Sequence, residues 1–331
     1  MKQYGIYGLG AALVDTEIAA TDEQINALGI KKGLMTLVDD ARQAEILNAF
    51  SDTQHTFKRS GGGSAANSII AASYFGTPCH FTGKVADDTD GHFYLKELAQ
   101  AGVDSLSAHQ LTDGTTGKCL VLTTPDAERS MNTYLGASET LSADLLNLSA
   151  IEHTQCVYIE GYLVTSPTGK ECAKTMIQHA QKSGTLIAVS LSDPGIVAGF
   201  KDELTDMFGD KVDIVFCNEQ EALSWTDSNT IEDAERVLKN YTGHYAITLG
   251  ANGVIAWDGE QRHHAASPSV SAIDTNGAGD MFAGAYLHAT LNKMGLQKSA
   301  EFACFAASKV VTQFGPRLTQ QQYSALIDQL A

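Results

Sequence analysis

Asp274-Thr275-Asn276-Gly277-Ala278-Gly279-Asp280 lies between a Ser/Pro-flanked segment, Ser267 to Ser271, and a run, Met281 to Asn292, that reads as a helix. Three small residues, Gly277, Ala278 and Gly279, allow a tight turn and close approach of a ligand. A helix start leaves its first N–H groups unpaired, and these attract a phosphate or a developing negative charge. Asp280 places a carboxylate directly after the turn. That combination suits phosphoryl transfer, where one group accepts a hydroxyl proton and the turn stabilises the transferring phosphoryl. A Gly-rich connection into a helix with an acid in its first turn has the same letters. On this stretch alone the two readings stand level.

Upstream of it, short apolar runs alternate with helical stretches. Cys156–Ile159, Leu186–Ser190, Ile214–Phe216 and Tyr245–Leu249 read as strands, with helices expected over 168–182, 198–208 and 230–240. Such alternation predicts an α/β fold with a mostly parallel sheet covered on both faces. Gly253–Trp257 reads as a hairpin partner turning at Asn252-Gly253, and two helices, near 297–312 and 319–329, close the chain. At the other end, Tyr4–Gly10 reads as a buried strand. Asp15 follows just past its end, where open α/β sheets place ligands; a turn residue or helix cap is its plain alternative. Ser60-Gly61-Gly62-Gly63-Ser64-Ala65-Ala66-Asn67 enters a helix read over Ser68–Tyr74, a phosphate-cradle arrangement without Walker A or dinucleotide spacing. A strand over Cys79–Gly83 and a helix over His92–Ala101 follow, with Asp87-Asp88 read as a helix cap. Met35–Val38, Lys118–Thr123 and Arg129–Leu135 read as β pieces, and a helix is read over Ala41–Ala49. Residues 16–60 and 105–135 are therefore expected to pair as a small sheet outside the main one, as insertions that act as lids.

The 331 residues are 44% hydrophobic and 18% charged, ordinary for a globular protein. The net charge of −17 argues against nucleic acid or an anionic membrane as partner. Six scattered cysteines without a C-x-x-C pair point to free thiols in a reducing compartment. A signal peptide and a spanning apolar run are not read, so a cytoplasmic protein is expected. His263-His264 read as strand residues rather than metal ligands.

Five stretches, in order, resemble the signatures of the ribokinase-like (PfkB-type) carbohydrate and nucleoside kinases. They are Gly62-Gly63-Ser64-Ala65-Ala66-Asn67 (G-G-x-x-x-N), Gly83 to Gly91 (G-x-V-G-x-D-x-x-G, with Ala86 in place of the second Gly), Asn218-Glu219-Gln220-Glu221 (N-x-x-E), Thr248 to Gly253 (T-x-G-x-x-G) and Asp274 to Asp280 (D-T-x-G-A-G-D). Arg129–Ser138, Glu160–Leu163 and Ser190–Pro194 look like segments of bacterial adenosine-kinase-like members. The resemblance implies a three-layer α/β/α fold with a small β-sheet lid. It implies one kinase domain over 1–331, lid insertions near 14–60 and 105–135, and a nucleotide-binding half near 210–331. It further implies transfer of the ATP γ-phosphoryl to a primary hydroxyl, the 5′-OH for a nucleoside. Asp280 would accept the proton, and the N–H groups of Gly277, Ala278 and Gly279 would hold the phosphoryl. Asp15, Gly62, Gly63 and Asn67 would bind the acceptor; Asn218, Thr248, Gly250 and Gly253 would bind ATP. Glu221 would organise Mg²⁺ through water, and Asp274 would lie beside K⁺. The protein is expected as a monomer or homodimer.

The acceptor stays open between a nucleoside and a sugar such as ribose, fructose or a keto-deoxy sugar acid. A sugar acid calls for a cation, with Arg129 as candidate. An aromatic platform would favour a nucleoside base, with Phe57, Tyr134 and Tyr162 as candidates, although aromatics fill cores by default. A non-catalytic nucleoside or sugar sensor on the same fold is the remaining rival. A Rossmann dehydrogenase is set aside because Gly8-Leu9-Gly10 lacks the third glycine.

Overall fold

The computed structural model describes residues 2–51, 58–105 and 110–327; Phe57 lies outside them. Among the described residues the strands form a nine-stranded and a five-stranded sheet. The larger sheet runs, edge to edge, Arg262–Ala265, Val254–Trp257, Thr242–Thr248, Val212–Asn218, Leu186–Ser190, Thr154–Glu160, Tyr4–Leu9, Cys79–Thr82 and Val103–Asp104. All neighbours are parallel except the two hairpin pairings at the Arg262–Ala265 edge.

Alternation along each strand sends side chains to opposite faces. Ile6, Tyr158, Ala188 and Phe216 join a core with the helices Ser64–Tyr74, Ala278–Leu291 and Leu296–Val310. Tyr7, Ile159, Val189 and Val215 join a second core with Pro167–Ser183, Pro194–Phe208 and Ile231–Tyr241. Local chemistry sets these helix starts. Ser166 and Asp193 cap their helices just ahead of Pro167 and Pro194. Asp88 caps Thr89–Gln100, the role read for the paired acids.

The smaller sheet has the order Met35–Leu37, Arg129–Tyr134, Gly117–Thr123, Leu13–Ala19 and Lys58–Gly62. It joins the two expected insertions through the parallel pairing of Leu13–Ala19 with Gly117–Thr123. One face packs Ile18, Leu120 and Leu122 against Ile25, Ile46 and Phe50 from Asp22–Ala27 and Asp40–Ser51. The other presents Leu13, Cys119 and Val121 to the interior of the molecule.

Several boundaries differ from the sequence reading, three of them beside the cavity. Leu13–Ala19 is a strand, hidden because Asp15 and Glu17 put buried acids where an apolar alternation was sought. The glycine-rich stretch is the strand Lys58–Gly62, and its helix begins at Ser64 because Gly63, at φ 92, is the N-cap. Likewise Ala278–Leu291 starts three residues before Met281, with Gly277 at φ 75 as N-cap. In both cases a left-handed glycine starts the helix inside the motif. Glu219–Thr226 is a helix the sequence reading did not separate.

Candidate active site

Asp274 is fully buried, and its carboxylate accepts the N–H groups of Asn276 at 2.9 Å and Gly315 at 3.0 Å. These bonds pin the turn to the C-terminal segment. At Gly277 a Cβ would overlap the backbone of Pro316, so close packing as well as positive φ requires glycine. Gly279 has open space where a Cβ would stand. The N–H of Ala278 is already bonded to the Thr275 carbonyl at 3.2 Å, so the expected anion donors reduce to Gly277 and Gly279. Asp280, on the first helical turn, accepts from Ser64 Oγ at 2.6 Å and Asn67 Nδ2 at 2.8 Å. Burial raises its pKa, while these two bonds and the charges of Arg129 and Arg317 oppose the rise.

Thr275 to Asp280, with Ser64 and Asn67, line one wall of a cavity of about 650 Å³, and Asp274 lies behind it. Asp15 lines it from the smaller sheet, 6% exposed. Burial, with Glu17 next, pushes its pKa up to about 8. Gly62 does not line the cavity; a Cβ there would overlap the Asp15 carboxylate, so its contribution is to let the backbone approach. Gly63 lines it, held under the Ala11 carbonyl. Asn67 is engaged at both ends, by Asp280 and by Arg317 Nε at 2.8 Å, which leaves one N–H and one lone pair for a ligand. Glu160 has a part that sequence reasoning did not assign. Fully buried at the end of Thr154–Glu160, it accepts the N–H groups of Ala11 and Ala65, each at 2.7 Å. It thereby ties the Ala11 and Ala65 segments to the main sheet. Burial lifts its pKa to about 7.

Leu13, Met35, Cys119, Met131 and Leu135 give the smaller sheet an apolar cavity wall, joined by Tyr162; Tyr134 is not part of the lining. Arg129 lines the cavity with its Nε buried and unpaired, and its charge acts on Asp280, Asp193 and Glu221. Between Gly117–Thr123 and Arg129–Tyr134, the Ala127 carbonyl accepts Thr275 Oγ1 at 3.0 Å, so the hairpin tip rests on the Asp274–Asp280 turn.

Asn218 and Glu221 form a closed capping box. Asn218 N and Nδ2 donate to Glu221 at 2.9 and 2.7 Å, and Glu221 N donates to Asn218 Oδ1 at 2.9 Å. Both line the cavity, and burial raises Glu221 to about 7. Thr248 and Gly250 line the cavity; Gly253 does not. A Cβ at Gly253 would overlap the Ala265 carbonyl, so that glycine serves the hairpin rather than a ligand.

A family model described as pfkB family carbohydrate kinase matches residues 27–322. The chain belongs to this family. It is an ATP-dependent carbohydrate or nucleoside kinase. Adenosine kinase 2 of Arabidopsis thaliana is 27% identical, over 94% of each chain. The structure of a probable sugar kinase from Rhizobium etli matches with a TM-score of 0.93 and 29% identity over 100% of both chains. That of the adenosine kinase from Sinorhizobium meliloti matches with a TM-score of 0.92 and 29% identity, covering 99% of this chain and 100% of the other.

Two cations implied for a pfkB-family kinase can be tested against these residues. Glu221 fits a hydrated Mg²⁺: it is a buried cavity-lining carboxylate whose hydrogen-bond partners are neutral N–H groups. Asp274 fits a monovalent cation less simply. Glu17 nearby is 2% exposed with neither oxygen hydrogen-bonded, and Asn276 Nδ2 is unpaired. Lys58, however, already offsets part of the Glu17 charge and donates to the Phe314 carbonyl at 2.7 Å.

Proposed function

We propose that this kinase phosphorylates the 5′-hydroxyl of a nucleoside, with adenosine the first candidate. The observation that carries this reading is the pairing of polar Asp15 and Asn67 with an apolar wall of Leu13, Met35, Met131 and Leu135 in one cavity. Ribose hydroxyls suit the first and a flat base suits the second. A base burying roughly 100 Å² of apolar surface gains about 2.5 kcal/mol, nearly two orders of magnitude in affinity, which a free sugar forgoes. The similarity to adenosine kinases from two kingdoms supports the same choice. Among the described residues this wall is thioether and aliphatic, with Tyr162, one of the candidate aromatics, at its side.

Asp280 accepts the hydroxyl proton as the oxygen attacks the γ-phosphorus. Its elevated pKa makes it a better base than an exposed aspartate, and Ser64 and Asn67 hold its two oxygens in place. The N–H groups of Gly277 and Gly279 take the charge of the transferring phosphoryl. Glu221 would hold Mg²⁺ through water, and the ion would supply charge neutralisation for the phosphate oxygens. Arg129 supplies a fixed positive charge over the same region, which suits a phosphate better than an acceptor carboxylate. Thr248 and Gly250 border the nucleotide, and K⁺ beside Asp274 would stiffen the turn. Contact of the hairpin tip with the turn excludes water and limits ATP hydrolysis.

The test is ADP release with ATP and Mg²⁺, with and without K⁺, across adenosine, inosine, guanosine, ribose, fructose and a keto-deoxy sugar acid. A nucleoside should exceed every free sugar in kcat/KM by about 50-fold or more. A free sugar in first place would overturn the assignment of the acceptor while leaving the kinase fold untouched.

A further inference from the structure

Arg317 follows the two residues that brace the anion turn: Gly315 N donates to Asp274, and Pro316 lies against Gly277. Its side chain turns toward the acceptor end and is 13% exposed. Nε donates to Asn67 Oδ1 at 2.8 Å, and Nη1 donates to Glu97 Oε2 at 3.1 Å. Glu97 Oε2 also accepts Gly61 N at 2.6 Å, which fixes the guanidinium to the strand leading into Gly62 and Gly63. The far end of the Asn67 amide donates to Asp280 Oδ2 at 2.8 Å.

We infer that Arg317 is a positioning residue for phosphoryl transfer, acting on Asp280 through the orientation of the Asn67 amide. An isolated asparagine amide can present either oxygen or nitrogen to a neighbour. A guanidinium has donors and no acceptor, so Arg317 admits only the amide oxygen. The NH₂ group is then directed at Asp280, where a flipped amide would set oxygen against a carboxylate. With Ser64 Oγ on the other oxygen, the plane of the Asp280 carboxylate is fixed before the acceptor arrives. Misplacement by about 1 Å at a reacting group costs on the order of 100-fold in rate, so orientation is enough to matter without contact between Arg317 and substrate.

The inference rests on Asp280 being the base, and the experiment separates the two. Arg317→Gln, Arg317→Lys, Asn67→Ala and the double variant Asn67→Ala/Arg317→Gln are assayed for kcat and for both KM values, with thermal unfolding alongside. Glutamine both donates and accepts, so it does not impose the orientation. Arg317→Gln is expected to lower kcat about 10- to 100-fold, with ATP KM changed less than about threefold. Lysine, again a pure donor, restores most of the loss. In the Asn67→Ala background the Gln substitution lowers kcat clearly less than in the parent, because only the direct charge of Arg317 on Asp280 is left to lose. A purely structural arginine gives equal losses in both backgrounds and no rescue by lysine; either result overturns the inference, as does unchanged kcat in Arg317→Gln. Should Arg317→Gln fail to fold, Glu97→Gln loosens the same guanidinium while keeping it. A kcat loss that disappears in the Asn67→Ala background supports the inference, and a persistent loss or none sinks it. If Asp280→Asn retains turnover, the reading of the site has failed instead.

Discussion

The two ends of the cavity are built differently. At the acceptor end, Asp15, Asn67 and Glu160 are at most 6% exposed and Asp280 sits in a network of side-chain hydrogen bonds. At the end proposed for the nucleotide, Gly250 and Ala251 are exposed, and the neighbouring coil leaves Val270 at 39% and Ile273 at 46%. The acceptor end invests in placed side chains and the nucleotide end in backbone around an open rim. Selectivity and chemistry should therefore be fragile at the first and tolerant at the second.

The sharpest way to break that comparison is Asp280→Asn, which keeps the shape and removes the proposed base. Its kcat with ATP and the best acceptor should fall by ~10²–10⁴-fold. Near-normal turnover would remove Asp280 from its role. Next, Asp15→Ala should weaken acceptor binding by about 1–3 kcal/mol, read as a rise in acceptor KM with ATP KM little changed. Equal loss for both substrates would mean that the two ends are not independent. Gly250→Ala probes the open rim. Its φ of 57 is left-handed, yet a Cβ there meets nothing within 4 Å. A cost of about 1–2 kcal/mol in stability is expected, with acceptor KM unchanged. A large acceptor effect would show that the ends communicate through the sheet.

The smallest effect expected is on stability against pH. Asp15 at about 8 and Glu17 and Glu160 at about 7 carry pKa values raised by burial, so the folded state holds protons the unfolded chain has released. Such groups make stability fall as pH rises through the folded values. Buried His80 and His244, lowered to about 4, act oppositely, but only below their ordinary value of 6.5. Between about pH 6.5 and 8 the acids remain alone, so the melting temperature of the ligand-free protein should decline there. Asp15→Asn should flatten the slope. A rising profile would contradict the protonation assigned to the closed end.

Much of the main sheet was legible because its strands are short apolar runs between helices of ordinary length, and alternation of that kind has few solutions. The smaller sheet was legible only as a pairing of insertions. Its strand Leu13–Ala19 carries Asp15 and Glu17 on the cavity side, and such acids erase the periodicity by which strands are found. Among the site residues, Asp280, Asn67, Glu221 and Thr248 stand in motifs and Asp15 stands just past a strand end, and the fold brings them to one cavity. Gly62 and Gly253 stand in the same motifs but make room for the backbone instead of lining it. Glu160 and Arg317 belong to none of the five motifs, because their partners are backbone and side-chain groups remote in sequence. No helix among the described residues is long and apolar enough to cross a membrane.

By itself the sequence determined the α/β alternation and a carboxylate directly after a glycine-rich turn. These follow from local sterics and periodicity, which a few neighbouring residues specify. Only the tertiary structure decided that Ser64 and Asn67 hold Asp280, that Arg317 holds Asn67, and that the apolar wall beside Asp15 is methionine and leucine. Those facts depend on contacts between segments up to 250 residues apart, and hydrogen-bond geometry at that range is set by packing rather than by spacing along the chain.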